Sequence, residues 1–221
     1  MFELLRHRSI SDLKLAIPLS EARKRARILV IEDDEQAFPV KLLENEGYNV
    51  QRWARVENIR KLEEGEFDII ILDIGGISLP EMSQRDGFGV LEHLKKYNPA
   101  QIVVAYSGQS FDLSKQQFFK QADDFLAKPS DLLECKEKID RLLQTRFTAK
   151  HYWETLIELL KRNDVPAKKI KRFESFFVQR VEENQSISLE TIIDALKVAK
   201  ELAEVVWTVA EHVRKFAHPG P

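Results

Sequence analysis

Four apolar runs, each closing on a polar residue, constrain the fold of this chain more than any other feature. ILVIEDDEQ (28–36) ends in acid, FDIIILDIGG (67–76) reaches Asp73, IVVAYSG (102–108) reaches Ser107, and DFLAKP (124–129) reaches Lys128 before Pro129. Short, nearly continuous Val/Ile/Leu runs are what parallel strands buried on both faces require. In open α/β sheets a ligand binds beyond the carboxyl ends of such strands, where these polar residues fall. A site assembled from several strand ends is therefore expected.

The rest of the segment alternates in the matching way. Strands are expected near 28–32, 49–54, 68–72, 101–106 and 124–127, with helices near 36–47, 56–64, 87–97, 112–121 and 131–147, the first two closed by Gly47 and Gly65. Five strands each followed by a helix mean an α/β fold, a parallel sheet covered on both faces. The implied architecture is flavodoxin-like, five strands in the order 2-1-3-4-5. Beyond residue 147 the strand signals stop and an all-α C-terminal region follows.

Residues about 27–145 resemble the receiver domain of bacterial two-component response regulators, which take a phosphoryl group from a histidine kinase onto an aspartate. The resemblance makes Glu32 and Asp33 the acidic pair after the first strand, Asp73 the phosphoacceptor, Ser107 the hydroxyl residue and Lys128 the lysine. It makes Phe125 the aromatic three residues before the lysine, which turns inward when Ser107 moves toward the phosphoryl group; as a residue of a buried strand, Phe125 reads equally as a core side chain. Asp34 is left as a bystander, and the peptide before Pro129 is expected to be cis. Mg²⁺ is the implied cofactor, with Asp33, Asp73 and the Gly75 backbone carbonyl as ligands and Glu32 holding a coordinated water. Each motif alone has an ordinary explanation: a solvated helix N-terminus, a turn aspartate, a Ser-Gly loop, an exposed strand end. Their order across strands one, three, four and five is what chance explains poorly. A receiver that keeps the fold and has lost the chemistry remains the alternative.

One departure from that family lies between Asp73 and Gly87. IGGISLPEMSQRDG is longer by roughly half a dozen residues than the short Pro-containing loop the resemblance implies there, in a class of connection that usually has about 2–6 residues. It is either a tolerated surface insertion or a gate or partner surface beside the site. Gly75 leaves little side chain over the phosphoryl position, so water has access to it.

At 221 residues the natural division is residues 1–26 as an N-terminal extension, 27–147 as the receiver and 148–221 as a helical output or dimerisation region. Charge is distributed unevenly: residues 28–145 sum to −8, the leading 27 to +4 and the remainder to +2. The acid thus lies in the segment that would hold a cation. The single cysteine, Cys135, falls in a helical pattern and reads as a small core hydrophobe in a reducing compartment. No run approaches the ~18 apolar residues of a membrane span, so no membrane partner and a cytoplasmic location are expected. The extension pairs an amphipathic pattern (Ile10, Leu13, Leu15, Ile17), capped by Ser9 or Ser11 and stopped by Pro18, with the basic run Arg23, Lys24, Arg25, Arg27. It either packs on one of the two domains, serves as a basic binding arm or is disordered.

In the tail, Leu132, Cys135, Ile139, Leu142, Ala149, Trp153, Leu156 and Leu160 keep helical spacing, which suggests that the last receiver helix runs on without a break. A second helix is expected over 166–183, and a third from Ser188 with Leu189, Ile192, Leu196, Ala199, Ala203, Val206, Ala210 and Val213 at 3–4 spacing. That repeat is either one wall of the chain's own bundle or a dimer seam. Three outputs are open to such a tail. DNA binding lacks a turn glycine, and its basic cluster (Lys168, Lys169, Lys171, Arg172) has Glu174, Glu182 and Glu183 nearby. An enzymatic tail lacks convergent polar groups; His151 and His212 have no metal spacing, and no separate catalytic domain is expected beyond autodephosphorylation. The preferred reading is a phosphorylation-controlled protein–protein contact, partnered by a histidine kinase or phosphotransfer protein and, through the tail, by another protein or a second copy. A DNA-binding regulator and a constitutive docking module are the alternatives.

Overall fold

The computed structural model describes residues 8–13, 15–75, 77, 86–108 and 120–218. They form two compact units: Pro18–Phe147, and the described residues before Pro18 together with those after Phe147.

The first unit is built on strands β1 (Arg27–Ile31), β2 (Asn49–Trp53), β3 (Ile69–Asp73), β4 (Ile102–Ser107) and β5 (Asp124–Ala127), all parallel and ordered β2-β1-β3-β4-β5. Its described helices are α1 (Leu19–Arg25), α2 (Val40–Asn45), α3 (Ile59–Glu63), α4 (Gly87–Tyr97) and α5 (Leu132–Thr145). This is the flavodoxin-like topology expected. The register places Ile31 beside Trp53, Asp73 beside Tyr106 and Ser107 beside Ala127, so the strands finish along one rim. Beneath it, Leu29, Ile31, Ile70, Leu72, Val103 and Ala105 pack with Val90, Leu91 and Leu94 of α4 in a core from which water is excluded. Cys135 of α5 is also buried, and burial pushes its thiol up to about 12.

Several local expectations differ from the structure for identifiable reasons. Helix α2 begins at Val40, not near 36, because Pro39 disfavours helical backbone in the residue before it. Asp34 turns the chain instead, its Oδ1 accepting from the Gln36 N–H at 2.9 Å. Helix α3 waits for Asn58, whose side chain caps the Lys61 N–H at 3.2 Å. The helix expected over 112–121 lies outside the described residues except for Lys120 and Gln121, which are in a turn. Pro18 does not stop a helix but starts α1. The basic run therefore belongs to the receiver unit: Arg27 pairs with Asp68, and Arg23 makes a two-pronged contact with Asp140 of α5 at 2.8 and 2.5 Å.

Asp140 also accepts the Tyr48 hydroxyl at 2.6 Å. Burial alone would raise this carboxyl, but the Arg23 guanidinium and the Tyr48 hydroxyl outweigh it and hold it below the usual carboxylate range. A depressed folded-state value contributes stability that is present above the unfolded value and lost as pH falls through the folded one. Asp140→Asn is therefore expected to lower the melting temperature at pH 7 by a few degrees, on the order of 1 kcal/mol. The gap to wild type should begin to narrow as pH falls below about 4 and go on narrowing as pH passes the lower folded-state value. A gap that did not narrow at all between pH 7 and the acid limit of the folded protein would show that the carboxylate charge is not the source of the effect.

The second unit contains α6 (Ala149–Arg162), α7 (Ala167–Glu182), α8 (Leu189–Leu196) and α9 (Lys200–Ala217). The unbroken helix expected across 147 does not form. Thr148 takes extended backbone and its hydroxyl oxygen caps the His151 N–H at 3.1 Å, opening a new helix. The third tail helix is likewise split: Lys197 adopts left-handed backbone at φ 55°, and Lys169 Nζ donates to the Leu196 carbonyl at 3.1 Å, satisfying the end of α8. Ile192, Leu196, Ala203, Val206, Ala210 and Val213 are each at most 2% exposed, so the heptad-like face is consumed inside the unit. Tyr152 stacks on His212 at 4.8 Å, and Trp153 on Phe177 at 5.2 Å.

The N-terminal segment joins this unit. In place of an amphipathic helix, Ile10–Asp12 form a single 3-10 turn capped by Ser9, with Ile10 buried. The Ser9 hydroxyl and the Ile10 N–H both donate to Glu174 of α7, at 2.8 and 3.2 Å. No described helix is long and apolar enough to cross a membrane. Trp153 is buried and packs against both Phe173 and Phe177, its ring centre 6.3 and 5.2 Å from theirs. Trp153→Ala should cost about 3–5 kcal/mol. A urea titration followed by helical circular dichroism should show the lost midpoint; a change below about 1 kcal/mol would mean that the site collapses to fill the cavity.

Candidate functional site

Each strand end delivers one part of the site. Glu32 follows β1 and is fully buried; its N–H donates to the Trp53 carbonyl at 3.0 Å, and its own carbonyl accepts from Arg52 Nη1 at 2.7 Å. These two bonds tie the acidic turn to β2. Asp33 is exposed at the rim. Asp73 is the last residue of β3, 5% exposed, with its Oδ1 accepting the Gly75 N–H at 3.1 Å. A Cβ added at Gly75 would meet nothing within 4 Å among the described residues, its chain neighbours apart, so none of them fills the space beside Asp73. Ser107 ends β4 and is buried, its carbonyl accepting the Lys128 N–H at 2.9 Å. Lys128 follows β5 and its peptide to Pro129 is cis.

The Lys128 ammonium reaches across the rim to both buried acids. Nζ lies 2.5 Å from Glu32 Oε2 and 2.8 Å from Asp73 Oδ2. Carboxylate oxygens of Glu32, Asp33 and Asp73 all fall within 4.8 Å of one another. Phe125 is half-buried on β5 and packs against the sheet core. The structure thus brings Glu32, Asp33, Asp73 and Lys128 together, with Ser107 and Gly75 on the same rim. Asp34 stays out of the acidic triad, its N–H donating to Glu32 Oε1 at 3.2 Å.

One ammonium faces three carboxylates. Burial pushes the Glu32 carboxyl above its usual range, Lys128 opposes this, and the Asp73 charge adds to the rise. Burial pulls the lysine down, but its contacts with Asp73 and Glu32 outweigh this and raise it, so it stays charged. Glu32 Oε2 accepts no hydrogen bond of ordinary geometry despite the ammonium beside it. An all-oxygen donor set with two negative charges in excess suits a divalent hard cation, which Mg²⁺ is. The residues present therefore fit the metal.

Three further residues shape the site. Arg52 holds the acidic turn, Tyr106 lies under Lys128 with Nζ 4.9 Å from its ring centre, and Gly87 packs against the Asp73 backbone. Gly87 was visible in sequence as the Asp-Gly opening a helix. Tyr106 and Arg52 looked like ordinary strand residues; only the fold brings them to the rim.

The family model of the response regulator receiver domain matches residues 28–140. The chain belongs to that family. Receiver domains bind Mg²⁺ at an acidic pocket, and the triad found here lies where such a pocket forms. They interact with histidine kinases or phosphotransfer proteins. The chain is 31% identical over 123 residues to the transcriptional regulatory protein CiaR of Streptococcus pneumoniae, covering 53% of this chain and 51% of that protein. It is 28% identical over 137 residues to the CAI-1 autoinducer sensor kinase/phosphatase CqsS of Vibrio cholerae, covering 58% of this chain and 19% of that one. The chain therefore spans about half, or less, of the curated relatives it matches. Among solved structures, a CheY-like receiver domain protein from Methanospirillum hungatei aligns at TM-score 0.47 and 27% identity, over 55% of this chain and 95% of its own.

Proposed function

We propose that this chain is a response regulator which accepts a phosphoryl group on Asp73 from a phosphohistidine, with Mg²⁺ as cofactor, and reports its state through its helical unit by changed protein–protein association. The observation that carries the reading is the bridging of Glu32 and Asp73 by the single Lys128 ammonium, with Asp33 beside them. The partner is a histidine kinase or a phosphotransfer protein, and the setting is the cytoplasm.

In the transfer, an Asp73 carboxylate oxygen bonds to phosphorus as the P–N bond of phosphohistidine breaks, and the imidazole keeps the bonding pair. The chain's work is positioning and charge neutralisation. Lys128, held charged by its two partners, moves its pairing from the carboxylate to the new phosphoryl oxygens. Ser107, at the adjoining strand end, donates its hydroxyl to another of them. Asp33, Asp73 and the Gly75 carbonyl would hold Mg²⁺, with Glu32 on a coordinated water; the ion supplies further neutralisation of phosphoryl charge. Open space at Gly75 gives water access, so slow autodephosphorylation is part of the proposal, and no separate catalytic domain is invoked.

The test is intact mass after incubation with Mg²⁺ and acetyl phosphate. The wild type should gain one phosphoryl group and Asp73→Ala none. Equal gain in both would move the acceptor elsewhere; no gain in either, with the fold intact, would favour a docking module that has lost the chemistry.

One observation favours a second output. Glu174 and Glu182, near the Lys168–Arg172 cluster in sequence, are engaged by Ser9, Ile10 and Arg8. Lys168, Lys171 and Arg172 remain exposed on α7. Duplex DNA retention that weakens steeply with salt would support a DNA-binding regulator, whereas salt-insensitive capture of a protein would support the first output.

A further inference from the structure

We infer that Tyr106 is a positioning residue whose hydroxyl latches the loop carrying Asp33 to the end of β4. This inference rests on the proposed Mg²⁺-dependent phosphoacceptor site and goes beyond it by naming what holds the site's exposed acid in place. Tyr106 is fully buried between Ala105 and Ser107, and is the register neighbour of Asp73. Its carbonyl accepts the Ile74 N–H at 3.2 Å, tying β4 to the residue after the acceptor. Its side chain runs the other way, to the β1–α2 loop. There the hydroxyl donates to the Ala37 carbonyl, and the ring meets Phe38 edge-on at 5.4 Å.

That loop needs an anchor. Asp33, Asp34, Glu35 and Gln36 are all exposed, and Pro39 keeps the segment from joining α2. At its start, Arg52 holds the Glu32 carbonyl; at its end, Tyr106 holds Ala37. Asp33 hangs between the two fixed points. The same tyrosine ring underlies the Lys128 ammonium at 4.9 Å, a favourable cation–π placement. One side chain thus supports both the acid and the ammonium of the site. Burial pushes its phenol up to about 12, so it is a hydrogen-bond donor at physiological pH.

The hydroxyl and the ring have separable consequences. Tyr106→Phe keeps the ring under Lys128 and removes only the bond to Ala37. In apo protein, the amides of residues 33–38 should then exchange with deuterium about fivefold faster. By calorimetry the Mg²⁺ dissociation constant should rise about three- to tenfold, as loss of one hydrogen bond implies. The phosphorylation rate at saturating Mg²⁺ should stay within about twofold of wild type, because Asp73 and Lys128 keep their places. Tyr106→Leu should in addition lower that saturated rate. The latch is overturned if Tyr106→Phe leaves loop exchange and Mg²⁺ affinity unchanged, or if it lowers the saturated rate as much as the affinity. A wild-type chain that binds no Mg²⁺ would overturn the reading of the acidic site and not the latch, which the exchange comparison decides without metal.

Discussion

Lys128→Met is expected to slow aspartyl phosphate formation by about 10²–10³-fold while tightening Mg²⁺ binding by about tenfold. The two effects have opposite signs because the ammonium competes with a cation for the same oxygens. Nζ sits 2.5 Å from Glu32 and 2.8 Å from Asp73. Removing it leaves three clustered carboxylates with no counter-charge among them, and a divalent ion then meets a stronger field and no repulsion. At an effective dielectric near 20, unit charges 4 Å apart interact by about 4 kcal/mol, so a tenfold affinity gain is a conservative share of that. Phosphoryl transfer loses the charge that the new oxygens would pair with, at the scale observed when a preorganised donor is deleted. Methionine preserves the length of the buried stem, so packing changes little.

Stability should follow the same electrostatics. Without Lys128, Glu32 stands unpaired at 1% side-chain exposure, and its already raised carboxyl rises further. A carboxyl raised in the folded state contributes stability at low pH that is lost as pH rises through its folded value. The variant should therefore melt lower at pH 8 than at pH 5.5 without Mg²⁺, and recover when Mg²⁺ is added. Calorimetric titration and melting curves read both effects. Weaker Mg²⁺ binding in the variant would sink the account, since it would make the lysine a structural support of the metal site and not its competitor.

Gly87→Ala should abolish most phosphorylation by a different route. A Cβ at Gly87 would lie 2.2 Å from the Asp73 carbonyl oxygen and 2.9 Å from the Ile74 Cα, and neither backbone atom can swing aside. Gly87 opens α4 immediately after Asp86, whose φ of 51° already bends the entry sharply. Either the helix lifts from the rim or Asp73 shifts toward Lys128. Overpacking of this kind costs about 1–3 kcal/mol, and displacement of about 1 Å at a reacting group costs on the order of 10² in rate. Gly75→Ala is the control: its Cβ meets nothing within 4 Å among the described residues, so melting temperature and folding should be retained. Should Gly87→Ala melt and phosphorylate like wild type, α4 would have to approach the acceptor less closely than the structure shows.

Both predictions concern residues whose importance comes from neighbours far away in the chain. The strand runs and their terminal residues were legible because burial on both faces forces continuous Val/Ile/Leu segments. Topology was legible for the same reason, since each strand–helix alternation permits few connections. Helix limits were less so. Pro39, Thr148 and Lys197 each ended or delayed a pattern that periodicity would have continued, through local backbone preference or a cap supplied from elsewhere. The clearest case is Lys197: the apolar repeat runs past it unbroken, but Lys169 from another helix closes α8 at Leu196.

The order of the polar residues along the chain determined, by itself, that acids, a hydroxyl and a lysine would meet at one rim, because parallel strands of similar length end together. What only the tertiary structure decided is how they meet: that Lys128 spans Glu32 and Asp73, that Arg52 and Tyr106 anchor the acidic loop, and that Gly87 must be bare where α4 touches Asp73. It also decided that Ile10 and Ser9 pack with α7, while the basic run after Pro18 serves the receiver unit. Periodicity reports which side of an element avoids water. It carries no record of which distant element supplies the covering, and that choice is made by shape and charge across the folded chain.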